Sequence, residues 1–196
     1  MPGGLKSRLQ QIALELVREV GPRAFTMAEL SRRAGVSAAA PYKHFADKDE
    51  VVLSLVVRSV RAQRDRYVRA MASATGPEEK LVAFAKAVVR FSYEEPGLFE
   101  LTLMAGRSKD RSPDLVRYTG EIRAALADAA RYYISDDARR YDLLMRLAGA
   151  AHGIAIFHEE GLFPEDRASV EDAEGQVADA ARAILAAVGV DSSIET

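Results

Sequence analysis

No cysteine occurs in the chain, so disulfide bonds and thiolate chemistry are excluded. Histidine is scarce, with three residues. His152 and His158 stand six apart, a rotation of about 600° on a helix, which leaves them about 120° from each other around the axis. They are not placed to chelate one metal ion, and no metal or other cofactor is expected. His158, beside Glu159 and Glu160, reads as a solvated or capping helix end. There is no nucleophile elbow and no glycine-rich phosphate loop, so the chain is not expected to be an enzyme. No apolar run approaches the roughly 18 residues that span a bilayer, and the opening MPGGLKSRLQQ is not a secretion signal. A cytoplasmic location without membrane contact is expected. Proline is sparse, at seven residues, among long stretches of Ala, Leu, Val, Arg and Glu, and an all-α fold is the natural class.

What is present is the balance of a soluble globular protein: 48% hydrophobic and 29% charged residues over 196 positions. The net charge of −2 is unevenly spread. Residues 1–48 hold eight Lys/Arg (6, 8, 18, 23, 32, 33, 43 and 48) against four acids, while 49–196 hold 19 basic and 25 acidic residues. A mildly basic end on an acidic body suits a protein that meets phosphate with its N-terminal part.

Leu5, Leu9, Ile12, Leu16 and Val20 recur at helical spacing, predicting a helix that stops at Gly21-Pro22. Thr26 and Glu29 have capping-box spacing, in which hydroxyl and carboxylate each accept from an orphan backbone N–H. Met27, Leu30 and Ala34 mark one face of the helix that follows, and Gly35 ends it. Val36 fills the corner, Ser37 caps again, and Ala38 to Phe45 are expected to make about two turns of a second helix. A helix leaving a three-residue turn is the geometry that lays side chains into a DNA major groove.

Beyond it, Asp47 and Glu50 open a long helix to about Ala72, and Thr75-Gly76-Pro77-Glu78 starts one to about Glu94. Pro96-Gly97 breaks into a shorter piece, and residues 107–114 read as a polar loop. Ser112-Pro113 opens a helix to about Tyr133, and Ser135 caps one running to Glu160, ended by Gly161. Ser169 opens the last, to Val188, closed by Gly189, leaving 191–196 as a frayed tail. The expectation is an all-α chain of about nine helices.

Residues Gly21, Phe25-Thr26, Leu30, Ala34-Gly35-Val36-Ser37, Tyr42, His44-Phe45 and Lys48 make the N-terminal quarter resemble the TetR/AcrR family of bacterial transcription regulators. Ala151-His152-Gly153 is similar to the Trp-His-Gly signature of one subgroup, with Ala151 in the tryptophan's place. The resemblance implies a DNA-binding domain over 1–46 and a regulatory, dimerising domain over 47–196. It implies a homodimer on a double-stranded operator, usually a repressor released by a small-molecule effector. The alternative is a dimeric regulator without a ligand, whose C-terminal domain only dimerises or binds a protein.

By that resemblance Thr26, Tyr42, His44 and Lys48 face phosphate, and Ser37, Ala38, Ala39, Ala40 and Lys43 belong to the base-reading helix. Lysine donates to guanine O6 and N7, and alanine methyls meet thymine methyls, but three alanines supply no bidentate pair. Structural readings stand beside these: Thr26 as a cap, Tyr42 as packing, Lys48 as a solvated cation, the alanines as helix formers. Pro41 departs from the branched aliphatic residue usual in the family and removes one early backbone bond.

In the C-terminal part Leu143, Leu144, Leu147, Ala151, Ile154 and Phe157 surround most of a helix, which is expected to be buried on several sides. With Val177, Ala181, Ile184 and Val188 of the last helix they are the dimer candidates. Phe84, Phe91, Phe99, Met104, Tyr118, Tyr132, His152 and Phe157 are candidates to line a pocket for a largely apolar effector.

Overall fold

The computed structural model describes residues 4–108, 112–164, 166 and 169–189. Among them the elements are α1 (Leu5–Ala24), α2 (Met27–Ala34), a 3-10 turn (Pro41–Lys43), α3 (Lys48–Ala72) and α4 (Pro77–Glu94), followed by α5 (Pro96–Ser108), α6 (Pro113–Ala130), α7 (Asp137–Glu159) and α8 (Val170–Val188). The all-α expectation holds, with eight α-helices among the described residues in place of about nine.

The missing helix is the one expected over Ala38 to Phe45. Proline has no N–H, so Pro41 cannot bond back toward Ser37, and the segment tightens to three-residue closures. Ala40 N–H donates to the Ser37 carbonyl at 2.9 Å, Lys43 to Ala40 at 3.2 Å and His44 to Pro41 at 2.9 Å. Ser37 thus enters through its carbonyl rather than as a side-chain cap.

Other terminal signals hold with small shifts. Gly21 adopts φ 74°, a left-handed value open to glycine, and kinks α1 before Pro22. Thr26 Oγ1 accepts from the Glu29 N–H at 3.2 Å, but the Glu29 carboxylate turns to Arg32 at 2.6 Å instead of closing the capping box, because a guanidinium is the stronger donor. Asp47 accepts from the Glu50 N–H at 2.8 Å, and the Glu50 carboxylate takes the Ala46 N–H. The cap of α7 is Asp136, one residue past the expected Ser135, accepting from the Arg139 N–H at 2.8 Å. Ser169 caps α8 as its spacing predicts. Helix α5 runs on to Ser108, so the expected loop shrinks; its middle, 109–111, and the tail, 191–196, lie outside the described residues.

The chain packs as two compact units: 1–62 with 95–116, and 63–94 with 117–196. The border falls inside α3, and α5 groups with the N-terminal helices, a division that differs from the 46/47 boundary read by resemblance. In the first unit α1 packs on α5 and α2. Leu9, Leu14, Leu16 and Val17 of α1, Leu30 of α2, Phe45, Leu55, Phe99 and Leu101 are buried there. Each fully buried Leu or Phe contributes about 1.5–3 kcal/mol of transfer free energy. Gly97 of α5 crosses α1 so closely that a Cβ on it would lie 2.7 Å from the Val17 carbonyl oxygen. The Arg18 guanidinium holds the Glu95 carboxylate through two bonds of 2.9 Å, and Ser59 Oγ donates to the Leu98 carbonyl at 2.7 Å.

In the second unit α4 packs against α7 and α8, which pack on each other. Leu81, Phe84, Val88 and Phe91 of α4 are buried, as are Leu143, Leu147, Ala151 and Ala155 of α7 and Ala173, Val177, Ala181 and Leu185 of α8. Within one chain α7 buries a single stripe, which accounts for one of the several sides expected to be covered. Leu144 and Ile154 are half-buried and Phe157 is exposed, because α4 and α8 cover one side only.

Candidate nucleic-acid interface

The candidate DNA-reading residues come together around one exposed segment. Thr26 starts α2, and Gly35 ends it with φ 64°, the left-handed conformation that turns the chain without a Cβ clash. The Val36 N–H then reaches back to the Ser31 carbonyl at 3.1 Å, fixing the corner. The Arg8 guanidinium donates to the Ala34 carbonyl at 3.0 Å, at the negative end of α2. Ser37, Ala38 and Ala39 are exposed and Ala40 is partly so. Pro41 and Phe45 point inward, four apart, and are buried, so the intervening Tyr42 and Lys43 face outward. Tyr42 is 54% exposed. His44 is half-buried, and so is Lys48, whose Nζ donates to the Arg23 carbonyl at 3.3 Å and lies 5.9 Å from the Phe25 ring centre. Lys48 therefore sits beside the Phe25-Thr26 entry to α2.

Ion pairing sorts the basic residues of the first 48 positions. Arg18 pairs with Glu95 at 2.8 Å, Arg23 with Glu100 at 3.5 Å, Arg32 with Glu29 at 2.6 Å and Arg33 with Glu19 at 2.5 Å. Hydrogen bonding to Arg32, with further help from Arg33, holds the Glu29 carboxyl down to about 2. Among the described residues no carboxylate pairs with Lys6, Arg8, Lys43 or Lys48. Lys43 belongs to the outward segment, and Arg8 and Lys48 are tied to the carbonyls just described. Lys6, of α1, lies over Phe45 with Nζ 5.2 Å from the ring centre. Sequence reasoning misses Lys6 and Arg8, because their partners lie far along the chain and no local spacing announces them.

The pocket candidates do not form one group. Phe84 and Phe91 are core residues of the second unit, whereas Phe99 (buried) and Met104 (half-buried) belong to the first. Arg117 stacks 4.4 Å from the Tyr118 ring centre. Tyr132, 40% exposed, helps line a cavity of about 500 Å3 with Pro77, Glu78, Glu79, Tyr133 and Leu185. His152 is half-buried; its Nδ1–H donates to the Ala148 carbonyl at 2.8 Å, and burial lowers its pKa from the ordinary value. Phe157 is 51% exposed.

His158 is not the solvated end that its acidic neighbours suggested. It is buried, with Nδ1 2.8 Å from the Tyr93 hydroxyl and Nε2 3.3 Å from Gln176 Oε1, and its ring stacks on Phe163 with centres 4.1 Å apart. The amide oxygen only accepts, so Nε2 donates to it, and the Tyr93 hydroxyl also lies 3.4 Å from the Ser169 carbonyl. This network joins α4, α7 and α8. Among the described residues no group of three or more acidic or histidine side chains could hold a metal ion, and no helix is long and apolar enough to cross a membrane.

Comparison with known proteins agrees with the helix-turn-helix geometry. Residues 11–55 match the family described as bacterial regulatory proteins, tetR family, and residues 81–184 match the tetracyclin repressor-like C-terminal domain. The chain is 31% identical over 144 residues to the HTH-type transcriptional regulator BetI of Agrobacterium fabrum (strain C58), covering 69% of this chain and 68% of that protein. It is 29% identical over 140 residues to BetI of Rhizobium meliloti (strain 1021), covering 69% of each. A protein of unknown function from Rhodococcus sp. RHA1 shares the fold at TM-score 0.76 with 23% identity, covering 95% of this chain and 96% of that one. The TetR family regulator PfmR of Thermus thermophilus does so at TM-score 0.63 with 20% identity, covering 91% and 97%. Relatives of this kind regulate transcription and are not enzymes. With both halves of the chain matched, the protein belongs to the TetR family of DNA-binding, helix-turn-helix transcription regulators.

Proposed function

We propose that this regulator is a homodimeric repressor that leaves its operator when a small, largely apolar ligand binds the part of the chain beyond residue 46. The observation carrying its DNA-binding part is the sorting of charge: four arginines are held by carboxylates, while Lys6, Arg8, Lys43 and Lys48 cluster around an exposed, pinned turn. Thr26, Tyr42, His44 and Lys48 contact phosphate. Ser37, Ala38, Ala39, Ala40 and Lys43 face base edges, with Lys43 the single long donor. So small a reading surface gives modest discrimination per base pair, and DNA shape supplies the rest.

Dimerisation uses α7 and α8. Tyr141 and Met145, one turn apart on α7, are 55% and 51% exposed, and Ile184 and Val188 of α8 are half-exposed beside Ala183 and Ala187. An isologous four-helix contact would cover all of them. Effector release requires a ligand whose affinity differs between the DNA-bound and free arrangements.

The test selects operator sequences from random duplexes, then measures affinity across salt for the wild type and Lys48→Ala. A near-palindromic site is expected, bound by a dimer in light scattering, and the variant's salt slope is expected to fall by about one unit for each phosphate it no longer neutralises. A compound found by thermal shift should then lower operator affinity. A monomer at micromolar concentration, or tight ligands that all leave operator affinity unchanged, would refute the corresponding part.

A further inference from the structure

We infer that Lys6, on the first turn of α1, is a phosphate contact that extends the DNA footprint beyond the helix-turn-helix itself. The inference rests on the DNA-binding reading above and adds a residue from outside the turn. Lys6 is exposed, and its Nζ stands 5.2 Å from the centre of the Phe45 ring. Phe45 is 2% exposed and ends the segment that carries Tyr42, Lys43 and His44. The ring therefore holds the ammonium at the edge of the reading segment, while its lysine stem covers apolar surface. No carboxylate among the described residues pairs with it, in contrast to Arg18, Arg23, Arg32 and Arg33. Arg8, two residues on, is already committed to the Ala34 carbonyl. A cation held in place beside a DNA-facing segment, with no internal counter-charge, is matched by a phosphate oxygen.

The experiment uses the full chain with a fluorescein-labelled mixed-sequence duplex of about 30 base pairs, and anisotropy from about 50 to about 200 mM KCl. Lys6→Met keeps the stem over Phe45 and removes the charge; Lys6→Arg keeps the charge. Each phosphate contact adds about 0.9 to the salt slope, so the affinity deficit of Lys6→Met should shrink about 3.5-fold per bound chain over that range. Lys6→Arg should retain the wild-type slope, and both variants should melt as the wild type does. A wild-type slope in Lys6→Met overturns the inference. So does a slope loss that Lys6→Arg fails to restore and that accompanies a lower melting temperature, because Lys6 would then act only by packing on Phe45. Absence of salt-dependent binding by the wild type would instead sink the DNA-binding reading, and this inference with it.

Discussion

Gly97→Ala separates two opposed effects and is expected to destabilise the protein. Gly97 lies in the first turn of α5, where helix propensity alone favours alanine by about 0.5 kcal/mol, the low end of the interior-position difference. The structure opposes this. A Cβ at Gly97 would lie 2.7 Å from the Val17 carbonyl oxygen, 3.0 Å from Arg18 Cα and 3.1 Å from the Val17 carbonyl carbon. All three are backbone atoms of α1, so no side chain can swing aside, and α5 has to back away by roughly 0.5 Å or more to reach ordinary contact. The Arg18–Glu95 and Arg23–Glu100 pairs cross the same junction and resist that shift. Overpacking of this kind costs about 1–3 kcal/mol, more than the propensity gain. For a chain of this size each kcal/mol moves the melting temperature by about 2–4 °C. Thermal and urea unfolding of Gly97→Ala should therefore show a net loss of about 0.5–2.5 kcal/mol. Gly120→Ala is the control: it sits within α6 with nothing within 4 Å of the added carbon, and it should gain stability. A Gly97→Ala protein as stable as the wild type would refute the close crossing.

Three other perturbations probe the second unit. Arg140 is buried and donates to the Ile134 and Ser135 carbonyls at 3.0 and 2.9 Å, so Arg140→Met should cost about 2–3 kcal/mol in urea unfolding by stranding both acceptors. The Tyr67 hydroxyl is buried without a hydrogen-bond partner among the described residues, beside Gln63, and burial raises its pKa above the ordinary value. Tyr67→Phe, which keeps the edge contact with Phe84, should be neutral or stabilising by about 1 kcal/mol; a clear loss would reveal a bond to the hydroxyl. His152 has a pKa lowered by burial, so the unfolded chain binds its proton more readily. Its contribution is full above the unfolded value near 6.5 and is lost as pH falls from there through the lower folded value, at no more than about 1.4 kcal/mol per pH unit. His152→Asn should flatten the pH dependence of unfolding between about pH 7 and pH 5; an unchanged profile would count against the burial of the ring.

The fold is legible wherever its signal is local. Gly35, Ser169 and Pro77 mark helix ends through backbone chemistry that acts within four residues, and each sits where its spacing places it. Pro41 shows the limit of such reading. One lost N–H is plain from the sequence, but its effect spreads until the two expected helical turns become a 3-10 turn. What stays hidden depends on partners distant in sequence. His158 precedes two glutamates yet is buried by Tyr93, Phe163 and Gln176. Gly97 looks like a breaker and is a crossing point. The exposed residues from Ser37 to Lys43 are legible from the helix-turn-helix pattern; Lys6 beside them is not, since only the fold brings α1 onto Phe45.

The same limit governs charge. Counting residues 1–48 gives a modest positive excess, but the count says nothing of which cations are free. Folding recruits Glu95, just before α5, and Glu100 of α5 from outside that stretch to neutralise Arg18 and Arg23, while Glu19 and Glu29 take Arg33 and Arg32. Exposed pairs like these add little stability, typically about 0–1 kcal/mol each. Their larger consequence is electrostatic. A paired guanidinium projects little field beyond the Debye length of about 8 Å, whereas an unpaired ammonium offers its whole charge to an approaching polyanion. Within residues 1–48 pairing thereby leaves Lys6, Arg8, Lys43 and Lys48 as the cations without a carboxylate partner among the described residues. A weakly acidic protein can meet DNA on those terms, because local pairing rather than net charge decides where phosphate is attracted.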